Sequence, residues 1–218
     1  KEMPDAVLIL GDTNSALAGI IAKRMKIPIF HMEAGNRCFD ENVPEEINRK
    51  IIDHISDINL PYSENARLYL IREGIHPGAV FVTGSPMAEI WNFYKKDVEK
   101  SQILKKLKLK KRKYFVASIH REENVDTKEL FVKLIDALNA VAETYNLPVI
   151  MSAHPRTEKR LNGYKLKVNK LINLHKPLGY FDYNNLQLNA FCVLSDSGTI
   201  LEESSVMGFP AIQTRVSS

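Results

Sequence analysis

Short apolar runs rich in β-branched residues alternate along this chain with longer stretches in which apolar positions recur at helical spacing. The runs 6–10, 28–31, 58–60, 80–82, 114–119, 148–152, 171–174, 191–194 and 211–213 read as strands. Between them 14–26, 45–56, 64–73, 127–145 and 198–207 read as amphipathic helices. Regular strand–helix alternation predicts an α/β protein with parallel sheets covered by helices on both faces. The rhythm breaks over 84–113, where Gly84-Ser85-Pro86 closes one strand and a Lys-rich run precedes the strand beginning at Tyr114. The expected organisation is therefore two α/β units, one within 1–87 and one within 114–218, joined by a junction at 88–113. Two such units facing one another would bring the carboxyl ends of both sheets to one cleft, where open α/β folds bind their ligands.

Composition narrows this picture without redirecting it. At 218 residues and 44% hydrophobic content the chain has enough apolar sequence for sizeable cores. Its net charge of +4 is local, because seven basic residues fall between Lys105 and Lys113. That run carries Leu107 and Leu109 but no interleaved aromatic residue, so it reads as a solvated linker, and neither nucleic acid nor a membrane surface is an expected partner. No run reaches the roughly 18 apolar residues of a membrane span. Cys38 and Cys192 are too few and too far apart for a disulfide framework or a zinc site, and a reducing cytoplasm is the expected setting.

Candidate chemistry gathers where strands end. Ser195-Asp196-Ser197-Gly198-Thr199 follows the apolar run 191–194 and opens a helix, so Ser197, Gly198 and Thr199 are expected to offer backbone N–H groups to an anion. Glu203, further along that helix, could bind a sugar hydroxyl. Asp12 follows the first strand and Glu33 the second, while Glu45 and Glu46 open the helix after Pro44. Each has a plain reading: Asp12 or Thr13 as an N-cap, Glu45 as a complement to the helix dipole. Convergence of several carboxylates on one sheet edge points instead to a proton-transfer pair. In the second half His120-Arg121 and His154 also follow strands, and His120 with Arg121 suits a diphosphate. Neither a serine-hydrolase elbow, a P-loop nor a metal-ligand spacing is present.

Taken together, Gly11-Asp12-Thr13, H-M-E-A-G-N-R over 31–37, P-E-E-I-N-R over 44–49, H-R-E-E-N over 120–124 and S-D-S-G-T-I-L-E-E over 195–203 resemble the non-hydrolysing UDP-N-acetylglucosamine 2-epimerases in order and spacing. The resemblance implies two Rossmann-like domains of the glycosyltransferase-B type around a UDP-sugar, in a homodimer that needs no metal or redox cofactor. It assigns Asp12, Glu33, Glu45 and His120 to catalysis and Ser197, Gly198 and Thr199 to the diphosphate loop, with Thr199 standing where the family often has a second glycine. It further assigns Arg121 and Arg215 to substrate binding, Glu203 to the ribose hydroxyls, and Leu178 and Tyr183 to uracil. By the same resemblance, further βα units are expected before Lys1 and a Glu-Arg-Pro element after Ser218, so the chain is expected to be a portion of the enzyme.

The reaction so implied removes the C2 proton of the sugar, expels UDP from C1 to leave a 2-acetamidoglucal, and then adds UDP back with protonation on the other face of C2. Stabilisation of the departing diphosphate would be the dominant contribution. Two rivals fit the same loop: a UDP-sugar glycosyltransferase, which needs no converging acids in its first domain, and a non-catalytic UDP-sugar binder whose acids only cap helices. The H-R-E-E-N form also resembles relatives that act on 6-deoxy sugars such as UDP-N-acetylfucosamine precursors, so the C4 and C6 substituents stay open.

Overall fold

Parallel pairing organises both halves of the chain. In the computed structural model, which describes residues 3–119, 127–153 and 155–214, the first three strands are β1 (Val7–Leu10), β2 (Ile29–Met32) and β3 (Ile58–Leu60), paired in that order and all parallel. A 3-10 turn at Asn14–Ala18 runs into α1 (Gly19–Arg24), so the expected helix over 14–26 is split between two helical geometries. Two further helices, α2 (Pro44–Ile55) and α3 (Glu64–Arg72), follow β2 and β3. The β-branched run at 80–82 does not become a strand. Val80 makes an isolated parallel bridge with Asn59, and Phe81 is half-exposed beside β3. On β2 the alternation is clean: Ile29 and His31 are fully buried on one face, and Phe30 and Met32 are half-buried on the other. Ile9, Ala16, Ile29 and Ile52 form the core under this sheet.

The second sheet has five parallel strands in the order β6-β5-β4-β7-β8, namely β4 (Phe115–Ser118), β5 (Val149–Ser152), β6 (Ile172–His175), β7 (Cys192–Ser195) and β8 (Ala211–Gln213). Helices α4 (Met87–Glu99), α5 (Ile103–Lys106), α6 (Lys128–Tyr145), α7 (Pro155–Gly163), α8 (Tyr180–Asn189) and α9 (Ile200–Met207) belong to the same unit. The central strand shows why helices cover both faces. Phe115 and Ala117 point into a core with Phe131, Ile135 and Leu138 of α6, whereas Val116 joins Leu186, Val193, Ile200 and Phe209 on the other side. Fully burying one such side chain is worth about 1.5–3 kcal/mol relative to leaving it exposed.

The chain divides into two compact units, with the boundary between Pro86 and Met87. Residues 88–113, expected as a junction, pack within the second unit: the buried Asn185 amide of α8 donates to the Val98 carbonyl of α4 at 2.8 Å, and Ser101 donates to Asp182 at 2.5 Å. The basic run is likewise no bare linker, because Leu104, Leu107 and Leu109 pack on the core beneath α8. Among the described residues no helix is long and apolar enough to cross a membrane.

Candidate active site

In the first unit the acids expected at strand ends lie on two turns that touch. Gly11, just after β1, has φ +74°, and a Cβ there would stand 3.4 Å from Glu33 Oε2. The Glu33 carboxylate therefore sits against the residue that precedes Asp12, and Asn36 donates to its other oxygen at 3.1 Å. Glu33 itself adopts φ +66°, a left-handed backbone that costs a non-glycine residue about 1–3 kcal/mol and persists where the surroundings enforce it.

Asp12 is not a helix cap. Thr13 occupies the cap position of the 3-10 turn without a capping bond, and the Asp12 carboxylate instead accepts from Arg49 Nε at 2.9 Å and NH2 at 2.6 Å. Arg49, on α2, also donates to Glu46 at 2.8 Å, while Asn48 holds the Asp12 carbonyl at 2.9 Å. Glu46 is fully buried. Burial alone would raise its pKa, but hydrogen bonds from the Cys38 amide and thiol, the Arg49 charge and the Phe39 amide bring it below the ordinary glutamate value. Burial likewise opposes the charge of Arg49, yet its bonds to Asp12 and the charges of Asp12 and Glu46 raise its pKa. Glu45, one residue earlier in the first turn of α2, is exposed. The structure thus places the Glu33 carboxylate against Gly11, the residue before Asp12, ties the Asp12 carboxylate to Arg49, and leaves Glu45 next to the ion-paired Arg49–Glu46 link, not inside it.

In the second unit the loop after β7 differs from the expectation of open amides. The Ser197 N–H donates to Ser195 Oγ at 3.1 Å and the Thr199 N–H to Ser197 Oγ at 3.4 Å, and α9 begins only at Ile200. Hydroxyls next to the loop compete for its donors, as serine and threonine do at helix starts. Gln213 of β8 also donates to the Ser197 carbonyl at 3.2 Å. Glu203 is engaged on both oxygens, by the Thr199 hydroxyl at 2.6 Å and by the buried Gln187 amide at 3.2 Å. Tyr183 stands close by, and burial with the nearby carboxylates of Glu203 and Asp196 pushes its phenol up to about 12 despite a bond with Ser118. Leu178 and Tyr183 both pack against the core beneath α8. His120, Arg121, His154 and Arg215 lie outside the described residues.

Arg49, Asn48, Gln187 and Gln213 were not singled out from the sequence. Asn48 and Arg49 stand inside the P-E-E-I-N-R run, and Arg49 follows Glu45 and Glu46 at helical i,i+4 and i,i+3 spacing, which was the available signal for both; Gln187 and Gln213 carry none. Among the described residues no cluster of three or more His, Cys, Asp or Glu side chains could hold a metal ion.

Two parallel α/β units, one with carboxylates at its strand ends and one with a hydroxyl loop backed by an acid, define a protein of the glycosyltransferase-B fold type. Comparison with known proteins carries this to a family: the model of the UDP-N-acetylglucosamine 2-epimerase family matches residues 1–218, and the chain belongs to that family. It is 40% identical to the UDP-N-acetylglucosamine 2-epimerase of Methanocaldococcus jannaschii, over 99% of this chain and 61% of the relative. It is 33% identical to the UDP-2,3-diacetamido-2,3-dideoxy-D-glucuronate 2-epimerase of Pseudomonas aeruginosa, over 99% of this chain and 60% of the relative. Among solved structures, that of the Rickettsia bellii UDP-N-acetylglucosamine 2-epimerase matches with TM-score 0.88 and 50% identity, covering 98% of this chain and 57% of that one. The M. jannaschii enzyme in complex with UDP-GlcNAc and UDP matches with TM-score 0.89, covering 99% and 61%. The chain therefore spans about 61% of the length of the curated relatives first matched.

Proposed function

We propose that the protein epimerises a UDP-N-acetylhexosamine at C2 without hydrolysing it, converting UDP-N-acetylglucosamine to UDP-N-acetylmannosamine and back. The observation that carries this reading is the approach of Glu33 to the Gly11-Asp12 turn in a chain of this family. Two carboxylates at one sheet edge can serve opposite faces of a sugar carbon, one removing the C2 proton and the other returning it. In the forward step the C2–H bond breaks towards a carboxylate, the electron pair forms the C1=C2 double bond, and the C1–O bond breaks with its pair leaving on UDP. The 2-acetamidoglucal then takes the diphosphate oxygen back at C1 and a proton on the other face of C2.

In this reading the first unit, ending at Pro86, supplies Asp12, Glu33 and Glu45, and the second, beginning at Met87, holds UDP. Glu203 would hold the ribose hydroxyls and Leu178 and Tyr183 the uracil, while Ser197, Gly198 and Thr199, together with His120, Arg121 and Arg215, are assigned to the diphosphate. The loop hydroxyls that now satisfy its amides would yield to phosphate oxygens, which accept more strongly. The protein would act as a cytoplasmic homodimer. The test is incubation of the full-length protein with UDP-N-acetylglucosamine alone in D2O, read by NMR. Deuterium at C2 together with the manno epimer is expected. A transferase or a plain binder leaves the sugar unchanged without an acceptor, and that result with UDP still bound would overturn the reading.

A further inference from the structure

One polar assembly in the first unit takes no direct part in the chemistry just described. His31 and Asp53 are 0% and 1% exposed, at the interface of β2 with α2. The His31 Nε2–H donates to the Gly11 carbonyl at 3.0 Å, and Nδ1 meets Asp53 Oδ1 at 2.8 Å. The same Asp53 carboxylate accepts the Gly35 N–H at 3.2 Å and pairs with the buried Arg37 guanidinium at 2.7 Å. Arg37 in turn binds the Asn36 carbonyl at 2.7 Å and pairs with Glu73 of the chain segment after α3. The charged and titratable groups of this assembly are thus His31, Asp53, Arg37 and Glu73.

We infer that His31 and Asp53 are positioning residues that fix the spacing of the Asp12 and Glu33 carboxylates. The inference rests on the epimerase reading above. His31 grips the carbonyl of the residue before Asp12, and Asp53 grips the amide two residues after Glu33, so one imidazole–carboxylate pair spans both turns. Those turns need holding: Gly11, Glu33 and Gly35 all have positive φ, at +74°, +66° and +77°. A buried polar pair of this kind is a poor way to gain stability, since apolar residues of similar volume commonly do as well. What it supplies is direction, because each bond has a defined donor and acceptor and ends on a turn that carries an acid. A displacement of about 1 Å between reacting groups can cost on the order of 10²-fold in rate.

The experiment compares His31→Leu, His31→Gln, Asp53→Asn and Glu73→Gln in the full-length protein, with kcat counted per UDP-binding site. For His31→Leu and Asp53→Asn, kcat should fall about 100-fold with KM for UDP-N-acetylglucosamine within about twofold. His31→Gln keeps an N–H near the Nε2 position and should recover about tenfold of that loss. Glu73→Gln disturbs only the outer end of the assembly and should leave kcat near the parent value while lowering thermal stability. Hydrogen exchange at the Gly35 amide should speed up at least about tenfold in Asp53→Asn, a readout that does not depend on turnover. The inference is overturned if kcat holds within about threefold in the folded variants, if KM rises in step, or if Glu73→Gln falls as far as Asp53→Asn. Should His31→Leu and Asp53→Asn not fold, His31→Gln decides, and an unchanged kcat there is also a refutation. Absence of turnover in the parent protein sinks the epimerase reading itself, which separates the two failures.

Discussion

Replacing Gly35 by alanine tests whether the turn carrying Glu33 is as tightly enclosed as its geometry requires. Two costs can be worked separately. At φ +77° an L-residue pays about 1–2 kcal/mol for the left-handed backbone. The added Cβ would also clash with the Ala66 carbonyl oxygen and stand 2.9 Å from both its carbon and Leu70 Cγ, so α3, which carries both residues on its buried face, must shift. Overpacking of that kind adds about 1–3 kcal/mol, for a total of about 2–5 kcal/mol. Gly74→Ala is the matched control: φ is +93°, but nothing lies within 4 Å of its Cβ, so only the backbone cost applies. The single tryptophan, Trp91, belongs to the second unit, so its fluorescence would report the wrong half of the chain. Amide hydrogen exchange at the buried Ile29 and Ala34 reports the right one. Gly35→Ala should accelerate it about 30-fold to several thousand-fold, at tenfold per 1.4 kcal/mol. If Gly35→Ala is no worse than Gly74→Ala, the close approach of α3 to this turn is soft and the reasoning fails.

Other outcomes follow from the same geometry. Glu33→Gln should abolish C2 deuterium exchange while UDP affinity by calorimetry stays within about twofold, because the nucleotide is assigned to the second unit. Thr199→Val removes one of two donors that orient Glu203, and should narrow the preference for UDP over 2′-deoxy-UDP by about threefold to tenfold in competition binding. Glu46 and Glu73 titrate below the ordinary 4.5, so their stabilisation is full above that value and is lost as the pH falls through their lower folded values; Glu46→Gln should flatten this acid limb in pH-dependent urea titrations. Tyr114→Phe deletes the buried bond to the Leu186 carbonyl at 2.8 Å and should cost the second unit about 1–2 kcal/mol in denaturant unfolding.

What the sequence made legible follows from which forces are local. Strand positions such as β4 and β7 show in apolar, β-branched runs, and the observed ends differ from expectation by only a residue or so. Helix α8 was hidden because its buried residues include Asn184, Asn185 and Gln187, so no apolar period marks its face. Helix α4 was lost among lysines, with Phe93 mostly exposed and only Trp91 and Val98 buried. At the site, acids at strand ends could be located because a strand terminus is a local event. Their partners could not, since the Asp12–Arg49 pair joins a strand end to a helix formed well over thirty residues later. Nor could the pattern separate Glu45 from Glu46, as helix phase alone sends one to solvent and buries the other.

Strand order in the two sheets sets different schedules for a chain emerging from the ribosome. The first sheet pairs its strands in the order they are made, β1 with β2 and β2 with β3, so each new strand finds its neighbour waiting. In the second, β4 is completed on one edge by β5 but on the other only by β7, and Phe115 finds Cys192 late in synthesis. Until then the apolar edge of β4 stands open, and long-range parallel pairing of this kind is slow. Among the described strands, the open edge of β4 is therefore the one longest exposed to wrong partners during synthesis, and where a holding chaperone would have the most to do.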